Sequence, residues 1–390
     1  MATYPTRPRA TGRARATLAI AFALIAALAL TTLQAGSADA KRKKAKRPNT
    51  VKVMTRNVYL GADLTPAINA TSTDDFINKN GQILRDVDTN NFKVRAKGLA
   101  AEIRSVAPDL VGLQEVALWR TGPVDLLAPT TGDFKASTVH VDYLSELMKQ
   151  LNRGKKRYRI VRVQQEFDFE APADYNGVAG DGNLPGVNSN GEINGRLTMR
   201  DAILAKVGKS VRTKNPRSGN YATIYKPVIS GIPVDVQRGW LSADVKVRKG
   251  KWFRFVNTHF EAFGAPDIRE AQAKELLAKG GPLRSGRLPA VLVGDLNSDD
   301  DTVSSQDALA YDALLAGGMR DRGTKRMTFG VASGIITASA PTNFDQTIDH
   351  VMTNRPKTVK LLKSGATGSK PVRGYWNSDH KGVWSKLKMP

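Results

Sequence analysis

Leu288 to Ser298 reads LPAVLVGDLNS, an apolar strand that runs directly into an acidic turn. Taken alone it is a strand closed by an ordinary capped loop. The same arrangement recurs on either side of it along the chain. VKVMTRNVYL, Val51 to Leu60, alternates apolar and polar residues and carries Asn57 near its end. DLVGLQEV, Asp109 to Val116, is a short apolar run closed by Glu115, and KWFRFVNTHF, Lys251 to Phe260, ends on His259. TIDHVMTN, Thr347 to Asn354, carries Asp349 at its start, and Asp379-His380 precede a last strand, GVWSKLKM. Eight polar residues therefore sit at strand ends: Asn57, Glu115, His259, Asp295, Asn297, Asp349, Asp379 and His380.

Helices separate these strands. FKVRAKGLAAEIRSVAPDL places Ala96, Leu99, Ala100 and Ile103 on one helical face, and Pro108 ends it. VDYLSELMKQLNRG is a second amphipathic helix, closed by Gly154. Further helices are expected over 268–278 and 304–316. YRIVRVQQEF, DAILAKV, YATIYKPV, WLSADVKV and VKLLKSG read as strands, with a hairpin turn at Arg248-Lys249-Gly250. Ala171 to Gly195, rich in Gly, Asn and Asp, reads as a long polar loop. No internal repeat or composition break divides the chain. The expected fold is α/β: a four-layer α/β/β/α sandwich of two packed mixed sheets with helices on the outer faces.

The first residues read as a separate segment. Arg7, Arg9, Arg13 and Arg15 precede an uninterrupted apolar run, Leu18 to Leu30, and then Ala38-Asp39-Ala40. That order reads as a secretory signal peptide over 1–40, the alternative being an uncleaved N-terminal anchor; the run is shorter than the ~20 residues of a membrane-spanning helix. A basic arm follows at 41–50, and a single domain at 51–390. The protein is therefore expected to be secreted, and a monomer. The chain has no cysteine, so thiol catalysis, thiolate metal sites and a disulfide partner are excluded. Its net charge is +23, which serves solubility or adhesion to acidic cell-wall polymers, or else attraction to a polyanionic partner: nucleic acid, phospholipid, or peripheral contact with an anionic surface.

The eight strand-end residues comprise two histidines, four carboxylates and two amides. Oxygen ligands without thiolates suit a hard cation, Mg²⁺, Mn²⁺ or Ca²⁺. Clustered carboxylates repel one another unless a cation or a protonated histidine lies among them. A cation beside two histidines suits attack by water on a phosphorus ester. His350 alternates away from Asp349 and reads as structural. His140 reads as a surface or capping residue at a helix start.

In chain order, MTRNV, LVGLQEV, VNTHFEAF, VLVGDLNS, TIDHVM and SDHKGV resemble the endonuclease/exonuclease/phosphatase superfamily, the deoxyribonuclease I-like fold, from about Val51 to Lys388. The resemblance implies Glu115 as principal metal ligand, with Asn57 beside it and Asp379 facing the same ion. It implies Asp295 as the group that positions or deprotonates the attacking water, and Asn297 at the phosphate. His380, oriented by Asp349, and His259 would be the two histidines at the phosphate. Where the family often has Arg before the ID pair, this chain has Thr347; either the phosphate-side cation is missing, or Arg56 or Arg200 supplies it. Asp201, in RDAILAK, either orients His259 or is an ordinary strand-edge residue.

The resemblance implies a metal-dependent hydrolase of phosphoric ester bonds, nuclease-like in its reaction. MTRNVYLGADLTP is closer to the opening of the bacterial sphingomyelinase-like branch, which would cleave a lipid head group in the manner of a phospholipase C. FGVASGIITASAP, Phe329 to Pro341, is the candidate apolar loop for membrane contact, or else a buried connection. A catalytically silent phosphate- or lipid-binding protein on the same fold is the reading from a different class.

Overall fold

The computed structural model describes residues 49–177, 192–284, 286–299 and 307–390. The expected signal peptide, nearly all of the basic arm and the middle of the expected 171–195 loop lie outside the described residues. The chain begins with β1 (Thr50–Asn57), α1 (Thr65–Ile68), α2 (Thr73–Thr89), α3 (Phe92–Val106), β2 (Leu110–Gln114), β3 (Leu118–Gly122), α4 (Ala128–Thr131), β4 (Thr138–Asp142) and α5 (Tyr143–Leu151). The middle holds β5 (Tyr158–Asp174), β6 (Glu192–Lys206), β7 (Val211–Asn220), β8 (Val228–Ile229), β9 (Ile232–Pro233), β10 (Gly239–Val247), β11 (Trp252–His259), α6 (Pro266–Leu277) and β12 (Ala290–Asp295). It ends with α7 (Leu309–Ala316), β13 (Arg320–Asp321), β14 (Phe329–Val331), β15 (Thr342–Gln346), β16 (Asp349–Thr353), β17 (Lys360–Thr367) and β18 (Gly382–Lys388).

Two large sheets form. One runs β17-β18-β1-β2-β6-β3-β4, with β5 also on β6; the other runs β13-β16-β12-β11-β10-β7. Both are mixed: β1 with β2, and β11 with β12, are parallel pairs among antiparallel ones. Strand parity builds the layers. Val51 and Val53 of β1 meet Val291 and Val293 of β12 in a core between the sheets. Met54 points the other way, into a core with Leu99 and Ile103 of α3 and Leu147 of α5. On the far side, Leu292 packs with Leu276 of α6 and Leu314 of α7. The result is the expected α/β/β/α order.

Two close approaches depend on glycine. A Cβ on Gly112 of β2 would lie 2.2 Å from Asn257 Oδ1, so this glycine lets the sheets meet near the site. A Cβ on Gly81 would lie 1.7 Å from the Asp174 carbonyl oxygen, so α2 lies directly on the end of β5.

Several expectations change. The 171–195 loop reading fails at both ends, because β5 continues to Asp174, where it pairs with Glu192 of β6. Backbone pairing of a long hairpin outweighs the turn-rich composition. β7, with most of its residues exposed, carries no clean apolar alternation and was not expected; the strand expected over 221–228 reduces to a bridge at Tyr225 and the first residue of β8. The polar helix α2 was not expected either; it buries Phe76, Ile83, Leu84 and Val87 along one face, with Ser72 as N-cap. The last-third helix begins at Leu309, and 300–306 lie outside the described residues.

Candidate active site at the rim of the two sheets

Register brings the strand-end residues together. β1 and β2 are parallel with Asn57 opposite Gln114, so Glu115 emerges beside the end of β1. β11 and β12 are parallel with His259 opposite Asp295. β16 is antiparallel to β12, so its first residue, Asp349, lies opposite Asp295. Asp379 and His380 precede β18, which pairs antiparallel with β1, and so reach the same rim. Ends of parallel strands and beginnings of antiparallel ones thus meet on one edge.

The rim encloses a cavity of about 350 Å³ lined by Glu115, His259, Asp295, Asn297, Asp379 and His380, among others. Asn57 and Asp349 stand one layer behind it. His380 Nδ1 donates to Asp349 Oδ2 at 2.8 Å, while its Nε2 lies 3.5 Å from Asp295 Oδ2 and 3.9 Å from Asp379 Oδ1. Asn57 Nδ2 donates to Glu115 Oε1 and to Asp295 Oδ2, both at 2.9 Å. The Asn57 amide oxygen accepts the Tyr59 N–H at 2.9 Å. Asn57, expected as a metal ligand, therefore turns its N–H groups toward the carboxylates and ties them together, because Tyr59 claims its oxygen. Asn297, with φ +44°, donates its backbone N–H to Asp295 Oδ1 and its side-chain N–H to the Phe260 carbonyl.

Burial and repulsion shape the charges. Burial pushes Asp295 up to about 6, with His380 opposing and Asp349 adding. Burial likewise pushes Asp379 up to about 7, with His380 opposing and Glu115 adding. Burial works against a charge on His380, but Asp349, Asp295 and Asp379 overcome it and push that imidazole up to about 10. His259 goes the other way: burial, the Arg238 guanidinium and His380 hold it well below its ordinary value. Arg238 Nη1 lies 3.1 Å from His259 Nδ1. An arginine can only donate, so His259 Nδ1 accepts, and its proton sits on Nε2, 3.6 Å from Asp295 Oδ2.

Arg56 and Arg200, expected as phosphate-side cations, do not line the cavity. Buried Arg56 pairs with Glu102 and donates to the carbonyls of Asn57 and His380, holding the rim from behind. Arg200 pairs with Asp142 and donates to the carbonyls of Val116 and Ala117. The cavity arginines are Arg238 and Arg269, neither of them expected. Arg238 stands immediately before β10, opposite the end of β11, so the strand-end rule that found the other residues applies to it as well. Asp201 is no strand-edge residue: it is fully buried, and it accepts from Asn257 rather than bonding His259. With Glu166 it forms a buried carboxyl pair behind His259, ligand atoms lying within 4.8 Å of one another. Burial pushes Glu166 up to about 8 against the pull of Arg238, and it pushes Asp201 well above the usual carboxylate range, with Glu166 adding.

Among the remaining candidates, His350 is buried and bonds Asp321 and the Ser298 carbonyl, a structural role. His140 lies in β4 against Asp88 rather than at a helix start. In the 329–341 stretch, Val331 and Ile336 are buried with Tyr59 and Trp376, while Ala332, Ser333, Ile335, Ala338, Ser339 and Pro341 are exposed, so the stretch is a surface segment pinned at two points rather than a buried connection.

The donor set fits a hard cation. Glu115 and Asp379 face the cavity with oxygens only, Asp379 is driven toward neutrality when no cation offsets it, and buried Asp349 Oδ1 has no hydrogen-bond donor. The clusters Glu115–His259–Asp295 and Asp295–Asp349–His380 each bring three ligand atoms within 4.8 Å of one another.

A solved structure shares the fold, and others align less closely. An endonuclease/exonuclease/phosphatase family protein from Bacteroides thetaiotaomicron aligns at 17% identity over 88% of this chain and 100% of its own, with a TM-score of 0.52. A mannosyl-6-phosphatase from the same organism aligns at 18% identity over 86% of this chain and 99% of its own, with a TM-score of 0.49. A humanized TDP2 from D. rerio aligns at 16% identity over 87% and 98%, with a TM-score of 0.45. No curated protein matches the chain. The profile of the Endonuclease/Exonuclease/phosphatase family matches residues 77–380, more than half of the sequence and most of the rim described above, and the chain belongs to that family of phosphoester-hydrolysing enzymes.

Proposed function

We propose that the protein is a divalent-metal-dependent phosphodiesterase in which water attacks phosphorus at the rim. The observation that carries this reading is the pairing of a cationic His380, backed by Asp349, with Asp295 across 3.5 Å of the same cavity. Glu115 and Asp379 would hold Mg²⁺, Mn²⁺ or Ca²⁺. When bound, the ion offsets charge on the phosphoryl and leaving oxygens. Asp295, pushed up to about 6, takes a proton from water near neutral pH, where a general base is best matched. His380 Nε2 and His259 Nε2 donate to phosphoryl oxygens, and Asn297 completes that wall. The water oxygen bonds to phosphorus, its proton passes to Asp295, and the bond from phosphorus to the leaving oxygen breaks.

The cavity wall favours a diester over a monoester. Asp63, Asp299 and Asp307 join Glu115, Asp295 and Asp379 in lining it, against Arg238, Arg269 and His380. With a divalent cation on Glu115 and Asp379, the carboxylates of Asp63, Asp295, Asp299 and Asp307 still outnumber Arg238, Arg269 and His380, and such a wall repels a dianion more than a singly charged diester. The test is hydrolysis of bis(p-nitrophenyl) phosphate against p-nitrophenyl phosphate. The diester should be preferred, its hydrolysis lost in EDTA and restored by Mg²⁺ or Mn²⁺. Undiminished turnover in excess chelator would remove the metal from the mechanism. We also propose export after cleavage at Ala40; N-terminal sequencing of secreted protein should begin at Lys41.

A further inference from the structure

The carboxylates that line the rim cavity outnumber its arginines six to two, in a chain whose net charge is +23. Cations collect instead at the opposite end of the sandwich. There a groove of about 730 Å³ lies between the start of β11, the segment leading into β12 and the turn that follows β16. The rim holds the other ends of the same three strands, at His259, Asp295 and Asp349. Trp252 in the groove and His259 at the rim are the first and last residues of β11, roughly 23 Å apart along the strand at ~3.3 Å per residue. Lys251, Arg287, Arg355 and Lys357 line the groove and are all exposed, and among the described residues no acidic side chain lines it with them.

The strands that follow repeat the pattern. Lys360 of β17 is directly opposite Lys388 of β18. Lys363, Lys386 and Lys52 stand side by side across β17, β18 and β1. Like charges directly opposite one another destabilise a sheet. Lys52 registers the crowding: burial holds its ammonium below the ordinary value, Asp109 opposes, and Lys386, Lys206 and Lys363 add. Five lysines in paired register, near a groove lined by four cations, repel one another unless an anion from outside lies among them.

We propose that this basic pole is a docking surface for a linear phosphate-chain polyanion, which holds the protein with its rim turned away from the polymer. The occupant follows from charge and shape. A groove suits a chain rather than a flat bilayer, and the forks of Arg287 and Arg355 match phosphate oxygens. Trp252 is the one aromatic residue of the lining, and Lys214 Nζ already lies 4.5 Å from its ring centroid, so the groove offers a nucleobase little beyond charge. The proposal goes beyond the phosphoester reading of the rim and does not depend on it.

The experiment is calorimetric binding of long-chain inorganic polyphosphate to the full chain, with Mg²⁺ in excess of the polymer. Binding should weaken steeply as salt rises, because several cations displace counterions, and the triple variant Lys251→Gln/Arg287→Gln/Lys357→Gln should weaken it by about tenfold or more at low salt. Turnover of bis(p-nitrophenyl) phosphate should be unchanged in that variant. Adding Lys360→Gln and Lys363→Gln should weaken binding further and leave the melting temperature level or higher, since like-charge pairs are relieved. A lower melting temperature with unchanged binding would assign these lysines to the fold and overturn the proposal. Competitive inhibition of diester hydrolysis by polyphosphate would place the polymer at the rim and overturn it too. So would binding that survives the triple variant but is lost on deletion of residues 41–47, which would assign the polymer to the basic arm. Tighter binding of DNA than of polyphosphate at equal charge, or binding to anionic vesicles alone, would name a different partner and overturn the proposal as stated. If no diester is hydrolysed but polyphosphate binds and the triple variant loses it, the reading of the rim fails and the docking surface stands.

Discussion

His259 and His380 end up on the same rim, each buried, each with Nε2 about 3.5 Å from the same Asp295 oxygen, and they are opposites. His380 stands among Asp349, Asp295 and Asp379 and carries a proton to about pH 10. His259 stands against the guanidinium of Arg238 and stays neutral, its one N–H fixed on Nε2 by the hydrogen bond that Nδ1 accepts. Burial disfavours the charge on both. The sign of the neighbouring charge decides between them, and it gives one imidazolium and one neutral donor facing a single carboxylate. Identical residues thereby divide the labour at a phosphate: one supplies charge, the other only a directed N–H.

The most severe way to break this division is to remove its shared centre or its charged member. Asp295→Asn and His380→Ala should each lower kcat by about 10²- to 10⁴-fold, the range for a lost acid-base group; near wild-type turnover of bis(p-nitrophenyl) phosphate would take that residue out of the site. Asp349→Asn should be milder, on the order of 10-fold to 10²-fold, since Asp295 and Asp379 still face His380. Its diagnostic is the His380 imidazole titration by NMR, which should move down from about 10. An unmoved titration would deny Asp349 its electrostatic role. On the other side, Arg238→Gln should raise the His259 titration, but not as far as the ordinary value of about 6.5, because burial is the larger cause of its depression. It should also strand buried Glu261, lowering stability by about 3 kcal/mol as for other broken buried pairs. A His259 titration unchanged in that variant would show that the guanidinium does not set its state.

His380 and its partner Asp349 were legible in the sequence; Arg238, which stands at a strand end too but was not singled out, is the charge that faces His259. The strand-end residues announce themselves because a polar side chain closing an apolar run is a local signal, and the two sheets follow from the alternation in Val51–Leu60 and Lys251–Phe260. Arg238 lies 21 residues before His259 and is brought opposite it by the β10–β11 hairpin, a contact no local pattern reports. Arg56, one of the two arginines the sequence offered for the phosphate, has its side chain turned back to Glu102. Charge is visible in a sequence, but the face on which it emerges is set by packing. β7 escaped because an exposed strand is held by its neighbours and its own alternation is weak; α2 does carry an apolar stripe at Phe76, Ile83, Leu84 and Val87, but that stripe is sparse in an otherwise polar segment.

The pH dependence of stability separates the two histidines most directly, because it asks for opposite slopes. For His380 the folded value, about 10, lies above the unfolded value of about 6.5. The native state then binds the proton more tightly than the unfolded chain. That stabilisation is complete below about pH 6.5 and is lost as pH rises toward 10. For His259 the folded value lies below the unfolded one, so the native state resists protonation and loses stability as pH falls below about 6.5. Thermal melts in EDTA of the wild type, His380→Gln and His259→Gln from pH 5 to 10 should show this. The gap between wild type and His380→Gln should narrow as pH rises from 7 to 10. The gap between wild type and His259→Gln should widen from pH 5 to 7 and stay level above. Parallel gaps would mean that the two imidazoles stabilise the rim only by filling space, and the contrast between Asp349 and Arg238 as their governors would be lost.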